Sequence, residues 1–146
     1  MNSALLNARF EMPNKKFSTG YKAQGALQPV HIAAFNPLIV PNATARIETG
    51  RIKTFEFSFY YNNSRSAGNL MLEYENLGIT FLDEDDGSKR KLKSLIANSF
   101  VVKNENLKGT KSFKNGTISF ERDKKKSIFN YWWKSILSGI ESISIV

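Results

Sequence analysis

The chain has 146 residues, 21 Lys+Arg against 13 Asp+Glu, a net charge of +8 and no cysteine. Its length predicts one domain with a core of its own, and the missing cysteines exclude disulfides and thiolate metal sites. The basic balance favours anionic partners, namely acidic lipid headgroups, nucleic acid or acidic proteins.

The start, MNSALLNARFEMP, lacks the charged-then-apolar order of a secretory leader. Residues 4–12 already read as a strand ending at Pro13, which predicts a piece of a longer protein. KFSTGYKAQGAL (16–27) puts Phe17, Thr19, Tyr21 and Ala23 on one face, and Gly20 and Gly25 suggest bulges or close backbone approach. In 29–42, Val30, Ile32, Ala33 and Ala34 suit a helical turn or two, ended by Pro37 and Pro41. ATARIETG (43–50) alternates and ends in a glycine turn.

RIKTFEFSFYYNN (51–63) is the clearest strand. Phe55, Phe57, Phe59 and Tyr61 share one face, with Thr54, Glu56, Ser58 and Tyr60 on the other. A polar turn, NNSRSAG, leads into 69–85, where Leu70, Leu72 and Tyr74 face one way and Met71, Glu73 and Glu75 the other. Two adjacent strands of this kind predict an antiparallel hairpin. DEDDGSKRK (83–91) reads as a solvated loop, 91–106 as a short helix near 92–98 leading into a strand at 100–105, and 112–123 as a hairpin or bulged strand. Residues 87–126 hold 12 Lys/Arg and 3 Asp/Glu, so the positive charge is concentrated there.

The chain closes on KKKSIFNYWWKSILSGIESISIV (124–146). Apolar residues at 129, 132, 133, 136, 137, 140 and 143 form a one-sided helical stripe over about 127–143, with Ser127 as N-cap. Lys124, Lys125 and Lys126 sit at the end where the helix dipole disfavours cations, so they do not serve the helix and form a solvated turn or a contact surface. Asn130, Lys134, Glu141 and several serines break the last twenty residues, and no stretch reaches the ~18 apolar residues of a membrane span.

Chemistry is sparsely supported. His31 is the only histidine and lies among apolar residues, where a structural role is expected. No serine sits in a nucleophile elbow, and there is no phosphate loop or dinucleotide glycine pattern. The acidic cluster at 83–86 lacks calcium-loop spacing, and Glu73 and Glu75 read as an outward polar strand face. No catalytic residue, metal or cofactor is therefore expected. Basic residues among aromatics suit a nucleic-acid-binding β-barrel, but no RNP, KH or helix-turn-helix pattern is present. The 55–61 face is also regular enough to be core. The terminal helix has three readings: a lid over the open side of the sheet, an interfacial helix with Trp at headgroup depth, or a partner-docking element. Two adjacent tryptophans exceed what a small core needs and raise the second reading.

Several segments resemble one family. FSTGYKAQGALQPVHIAAFNPLIVPNATARIETGRIKTFEFSF is similar to the ending of AsmA-like proteins of the bacterial envelope (AsmA/TamB-related, Bacteroidetes type), where an "aaFNPl" turn precedes "v.i.sG.i....f.f". SAGNLMLEYENLGITFLDED resembles that family's "a.G.l...Y.dL.i.ll", with matches at Gly68, Leu70, Leu72, Tyr74, Leu77 and Ile79. SLIANSFVVKNEN and GTISFERDKKKSIFNYWWKSILSGI resemble its closing segments. The likeness covers roughly residues 4–143 and rests on the order of short motifs. It implies the C-terminal part of a longer, membrane-anchored periplasmic protein. A curved sheet with an apolar groove would take part in lipid transport or outer-membrane biogenesis without turnover.

The expected fold is mainly β: one curved, mostly antiparallel sheet of six to eight strands, a short helical segment near 30–36 and a C-terminal amphipathic helix. Phe55, Phe57, Phe59, Tyr61, Leu70, Leu72 and Tyr74 are the expected lipid- or partner-facing residues. Lys124, Lys125, Lys126, Phe129, Trp132, Trp133 and Ile136 are the expected membrane-interface residues. The expected partners are phospholipid or a membrane surface, and envelope proteins; nucleic acid is not the favoured partner. The alternatives are a structural interaction domain with the helix as core lid and, third, a basic nucleic-acid-binding barrel.

Overall fold

A computed structural model of the protein describes residues 5–12, 20–37, 40, 45–81 and 104–144. Six strands form one open antiparallel sheet: β1 (Leu6–Phe10), β2 (Tyr21–Leu27), β3 (Val30–His31), β4 (Ala45–Tyr61), β5 (Arg65–Phe81) and β6 (Gly116–Glu121). The order across the sheet is β1-β2-β4-β5-β6, and β3 pairs with β4 beyond the end of β2. A 3-10 turn, Ile32–Phe35, follows β3, and one helix, α1 (Ile128–Ser144), closes the chain. The mainly antiparallel class, the helical turn after residue 30 and the terminal helix match the sequence reading. The acidic cluster 83–86 and the expected helix near 92–98 lie outside the described residues, as does most of the expected strand at 100–105. Just past its expected end, Asn106 makes an isolated bridge to Tyr74 of β5.

The 17-residue strands β4 and β5 form the spine. Their turn is held by Asn62, whose Oδ1 accepts the N–H groups of Ser64 (2.8 Å) and Arg65 (3.0 Å). The expected glycine turn at Gly50 is not a turn. Gly50 takes φ 137°, and the strand runs straight through with register shifts between Ile47 and Thr49, Thr49 and Arg51, and Ile52 and Thr54. β5 answers with Asn76 at φ 55°, whose carbonyl accepts the Thr49 hydroxyl at 2.7 Å. The extra residue is absorbed as a bulge because both strands continue past it, which a sequence reading of one strand cannot see. The shift between 52 and 54 also returns Ile52 to the face of Phe55 and Phe57, so the apolar face is continuous. The 112–123 segment is one edge strand, β6, preceded by a loop.

Where a neighbouring strand runs out, an asparagine side chain takes its place. Asn36 bonds both backbone groups of Ile47, donating to its carbonyl (2.9 Å) and accepting from its N–H (2.8 Å). Asn106, fully buried, donates to the carbonyls of Leu72 (2.7 Å) and Lys114 (2.9 Å) and accepts from Lys114 N–H (2.9 Å). A carboxamide carries a donor and an acceptor in one plane, like the peptide it replaces.

The core lies on one face of the sheet. Ala23, Ile52, Phe57, Phe59, Tyr61, Leu70, Leu72, Tyr74 and Ile118 are buried there, with Tyr131, Trp132 and Ile143 of α1 above them. Small residues let the helix approach closely. A Cβ on Gly116 would stand 2.6 Å from the Gly139 carbonyl oxygen, and one on Gly139 would stand 2.9 Å from Ile118 Cγ1. One helical turn before Gly139 the buried hydroxyls of Ser66 and Ser135 meet at 2.7 Å. Ser135 donates to the Tyr131 carbonyl at 2.8 Å, so it accepts from Ser66.

Candidate functional site

The seven residues expected to face lipid or a partner stand together, and the protein's own side chains fill the space above them. Phe57, Phe59, Tyr61, Leu70, Leu72 and Tyr74 are buried, and Phe55 is half-buried. The rings of Phe55, Phe57, Phe59 and Tyr61 follow one another along β4 at 6.0–6.1 Å between centroids. At the end of this ladder Tyr131 and Trp132 of α1 meet Tyr61 edge-on, at 5.7 and 6.1 Å. Trp132 then stacks on Phe10 of β1 at 4.3 Å, so the helix reaches across the sheet to its far edge. The Tyr61 hydroxyl donates to the Glu11 carbonyl, and that of Tyr131 donates to the Asn62 carbonyl (3.0 Å). Burial pushes the Tyr131 hydroxyl up to about 12, against the pull of the nearby Arg122 guanidinium, which lies 5.3 Å from the ring. Burial likewise raises Tyr61.

The membrane-interface residues divide. Trp132 is buried and belongs to the core, and Ile136 is half-buried against it. Phe129 and Trp133 are 68% and 55% exposed, one helical turn apart on a single flank. Phe129 leans edge-on against Trp132, 5.4 Å between centroids. Lys124, Lys125 and Lys126 are all exposed. They sit in a turn in which Asp123 accepts the N–H groups of Lys125 (Oδ1, 3.0 Å) and Lys126 (carbonyl, 3.0 Å). Ser127 caps the helix as expected, accepting from Asn130 N–H at 3.2 Å. Lys134, next to Trp133 in sequence, is exposed as well; the sequence showed it only as one of the residues that interrupt a membrane-span pattern.

The other side of α1 does work that the sequence reading missed. Ser138 and Ser142 accept the N–H groups of Ser119 (3.2 Å) and Thr117 (2.9 Å) on β6. They donate in turn to the helix carbonyls of Ser135 (2.6 Å) and Gly139 (2.7 Å). The serines are four residues apart on a helix and their partners two apart on a strand, rises of ~6 Å and ~6.7 Å that nearly match. The signal was present as small hydroxyl residues at that spacing beside an alternating strand.

The opposite face of the sheet mixes polar residues with Ala26 and Met71. A shallow open trough of about 740 Å³ is lined chiefly by Asn7, Arg9, Gln24, Glu56, Ser58 and Asn69, at positions that alternate with the core residues. The two carboxylates weighed for acid–base chemistry have structural partners. Glu73 is held below the usual carboxylate range, first by Lys108 N–H (3.1 Å), against its partial burial and with help from the Thr54 hydroxyl (3.0 Å). Glu75 pairs with Lys53 at 3.4 Å. His31 pairs through its backbone in β3. Among the described residues no group of three or more His, Asp or Glu is placed to hold a metal, and no helix is long and apolar enough to cross a membrane. Set against known proteins, the chain matches no family model, no curated protein and no solved structure.

Proposed function

We propose that this chain is a non-enzymatic module of a cell-envelope protein that docks on an anionic lipid surface through the free flank of α1, in the service of lipid transport or outer-membrane biogenesis. One observation carries the reading. Phe129 and Trp133 stay exposed together, beside four exposed lysines, on a helix whose other sides are fixed to the sheet. The resemblance to AsmA-like proteins supports the envelope setting. The sheet's apolar face is filled by core side chains, so the proposal rests on the helix flank rather than on an open acyl groove.

The magnitudes fit a two-part contact. Burying two large aromatic side chains contributes roughly 4 kcal/mol, and lysines near an anionic surface add about 1 kcal/mol each. Either part alone corresponds to about millimolar binding, and both together to about micromolar. Co-sedimentation with vesicles tests this. The protein is expected to bind vesicles rich in phosphatidylglycerol and to leave phosphatidylcholine vesicles and high salt unbound. Phe129→Ser/Trp133→Ser should abolish binding with an unchanged circular dichroism spectrum. Equal binding by that variant would refute the proposal.

A second reading has its own support. Tyr131, Ser135 and Ile143 are fully buried, as in a structural interaction domain whose helix is a permanent core lid. In that case Phe129 and Trp133 would meet a protein, and vesicles of either composition would leave the chain in solution.

A further inference from the structure

We propose that β1 is a self-pairing edge through which two copies of this chain join their sheets. An edge strand presents unpaired N–H and C=O groups that template the addition of another strand, and this fold treats its edges unequally. On β6 the outward N–H groups of Thr117 and Ser119 are taken by the α1 serines. Where β4 and β5 outrun their neighbours, Asn36 and Asn106 fill in. On β1 nothing comparable is found among the described residues. Gln28 N–H donates to the Leu5 carbonyl (3.1 Å) and Glu11 N–H to the Lys22 carbonyl (3.0 Å). With Leu6 opposite Leu27 and Phe10 opposite Ala23, the antiparallel alternation turns the N–H and C=O groups of Leu6, Ala8 and Phe10 away from β2.

The sequence of this edge, LNARF, complements itself. In an antiparallel pair centred on Ala8, Leu6 of one copy faces Phe10 of the other on the core side, and Asn7 faces Arg9 on the polar side. No like charges are opposed. Ala8 of one copy would exchange both backbone bonds with Ala8 of the other. Leu6, 54% exposed at this edge, would gain the Phe10 ring of the other copy as an apolar neighbour. A parallel pair would set Arg9 against Arg9. The occupant that fits is therefore a second copy, related by a two-fold axis through Ala8.

Equilibrium sedimentation across a concentration series should show a reversible monomer–dimer equilibrium. Ala8→Pro deletes a donor that bonds nothing described inside the monomer, a placement proline tolerates at an edge. It should weaken the dimer roughly tenfold or more while leaving the circular dichroism spectrum intact. Should Ala8→Pro fail to fold, Ala8→Lys replaces it, since its charge is solvated in the monomer and opposes its own copy in the dimer. The cysteine-free background adds a register test. Ala8→Cys would place two Cα atoms about 5.5 Å apart, within disulfide reach, whereas Leu6→Cys would leave them roughly 14 Å apart. Only Ala8→Cys should cross-link on mild oxidation. A chain that is monomeric at every concentration would overturn the proposal. So would a dimer that survives the folded Ala8 variant, or equal cross-linking of both cysteine variants. None of these readouts involves lipid, so they stand or fall separately from membrane docking.

Discussion

Single polar side chains do backbone work in this protein. Asn106 makes three hydrogen bonds of 2.7–2.9 Å from a fully buried position, and at about 1 kcal/mol net for each it holds the β6 loop to β5 as firmly as a short strand would. The tyrosines at the helix–sheet junction make stability depend on alkaline pH. The Tyr131 hydroxyl is pushed from its ordinary 10 up to about 12, and Tyr61 is also raised. A raised pKa means the folded state keeps a proton that the unfolded state gives up. The corresponding stability is complete below about pH 10 and is lost as pH climbs from there through about 12. Urea midpoints measured from pH 9 to 12 should fall over that interval, together with a late rise in tyrosinate absorbance. Tyr131→Phe should fall less steeply, because it lacks the hydroxyl whose proton the fold retains. Equal slopes would show that Tyr131 is not protonated by burial in the fold.

At the scale of elements, α1 has three sides with three tasks. Tyr131, Trp132, Gly139 and Ile143 close the core, Ser138 and Ser142 seal the β6 edge, and Phe129 and Trp133 remain outside. The seal predicts a specific loss. Ser138→Ala/Ser142→Ala should cost about 1–3 kcal/mol in total, and hydrogen exchange at the Thr117 and Ser119 amides should speed up while the β4–β5 amides stay protected. Unchanged exchange at 117 and 119 would mean that water replaces the serines without loss. The hairpin, its faces and the helix were legible in the sequence because period-two and period-3.6 patterns each report burial directly. The passage of β4 through Gly50 was not, since a glycine marks a bulge and a turn alike and the partner strand decides between them. The asparagine stitches were hidden for a similar reason: a carboxamide that replaces a strand leaves no periodicity.

For the whole molecule, the same stripe of apolar residues on α1 had to be divided between core and surface, and periodicity alone could not divide it. Trp132 and Trp133 are neighbours in sequence with the same chemistry, yet one is 6% exposed, over Phe10 and Tyr61, and the other 55%. A 100° step around the helix separates them. On the membrane-docking proposal, the basic surplus of the chain would act with that outward flank, drawing the molecule toward anionic surfaces from a distance, with the exposed lysines at 124–126 and 134 supplying charge near the exposed rings. On that proposal, α1 is fixed to the sheet by one side and meets lipid with another. This is tested most directly by quenching with brominated acyl chains in anionic vesicles, using the two single-tryptophan variants. Trp133, reported in Trp132→Phe, should be quenched and shift to the blue on vesicle addition. Trp132, reported in Trp133→Phe, should show a blue emission already in solution and remain unquenched. Equal quenching of both would mean that the helix leaves the sheet to enter lipid, and quenching of neither would mean that this flank meets something other than a membrane.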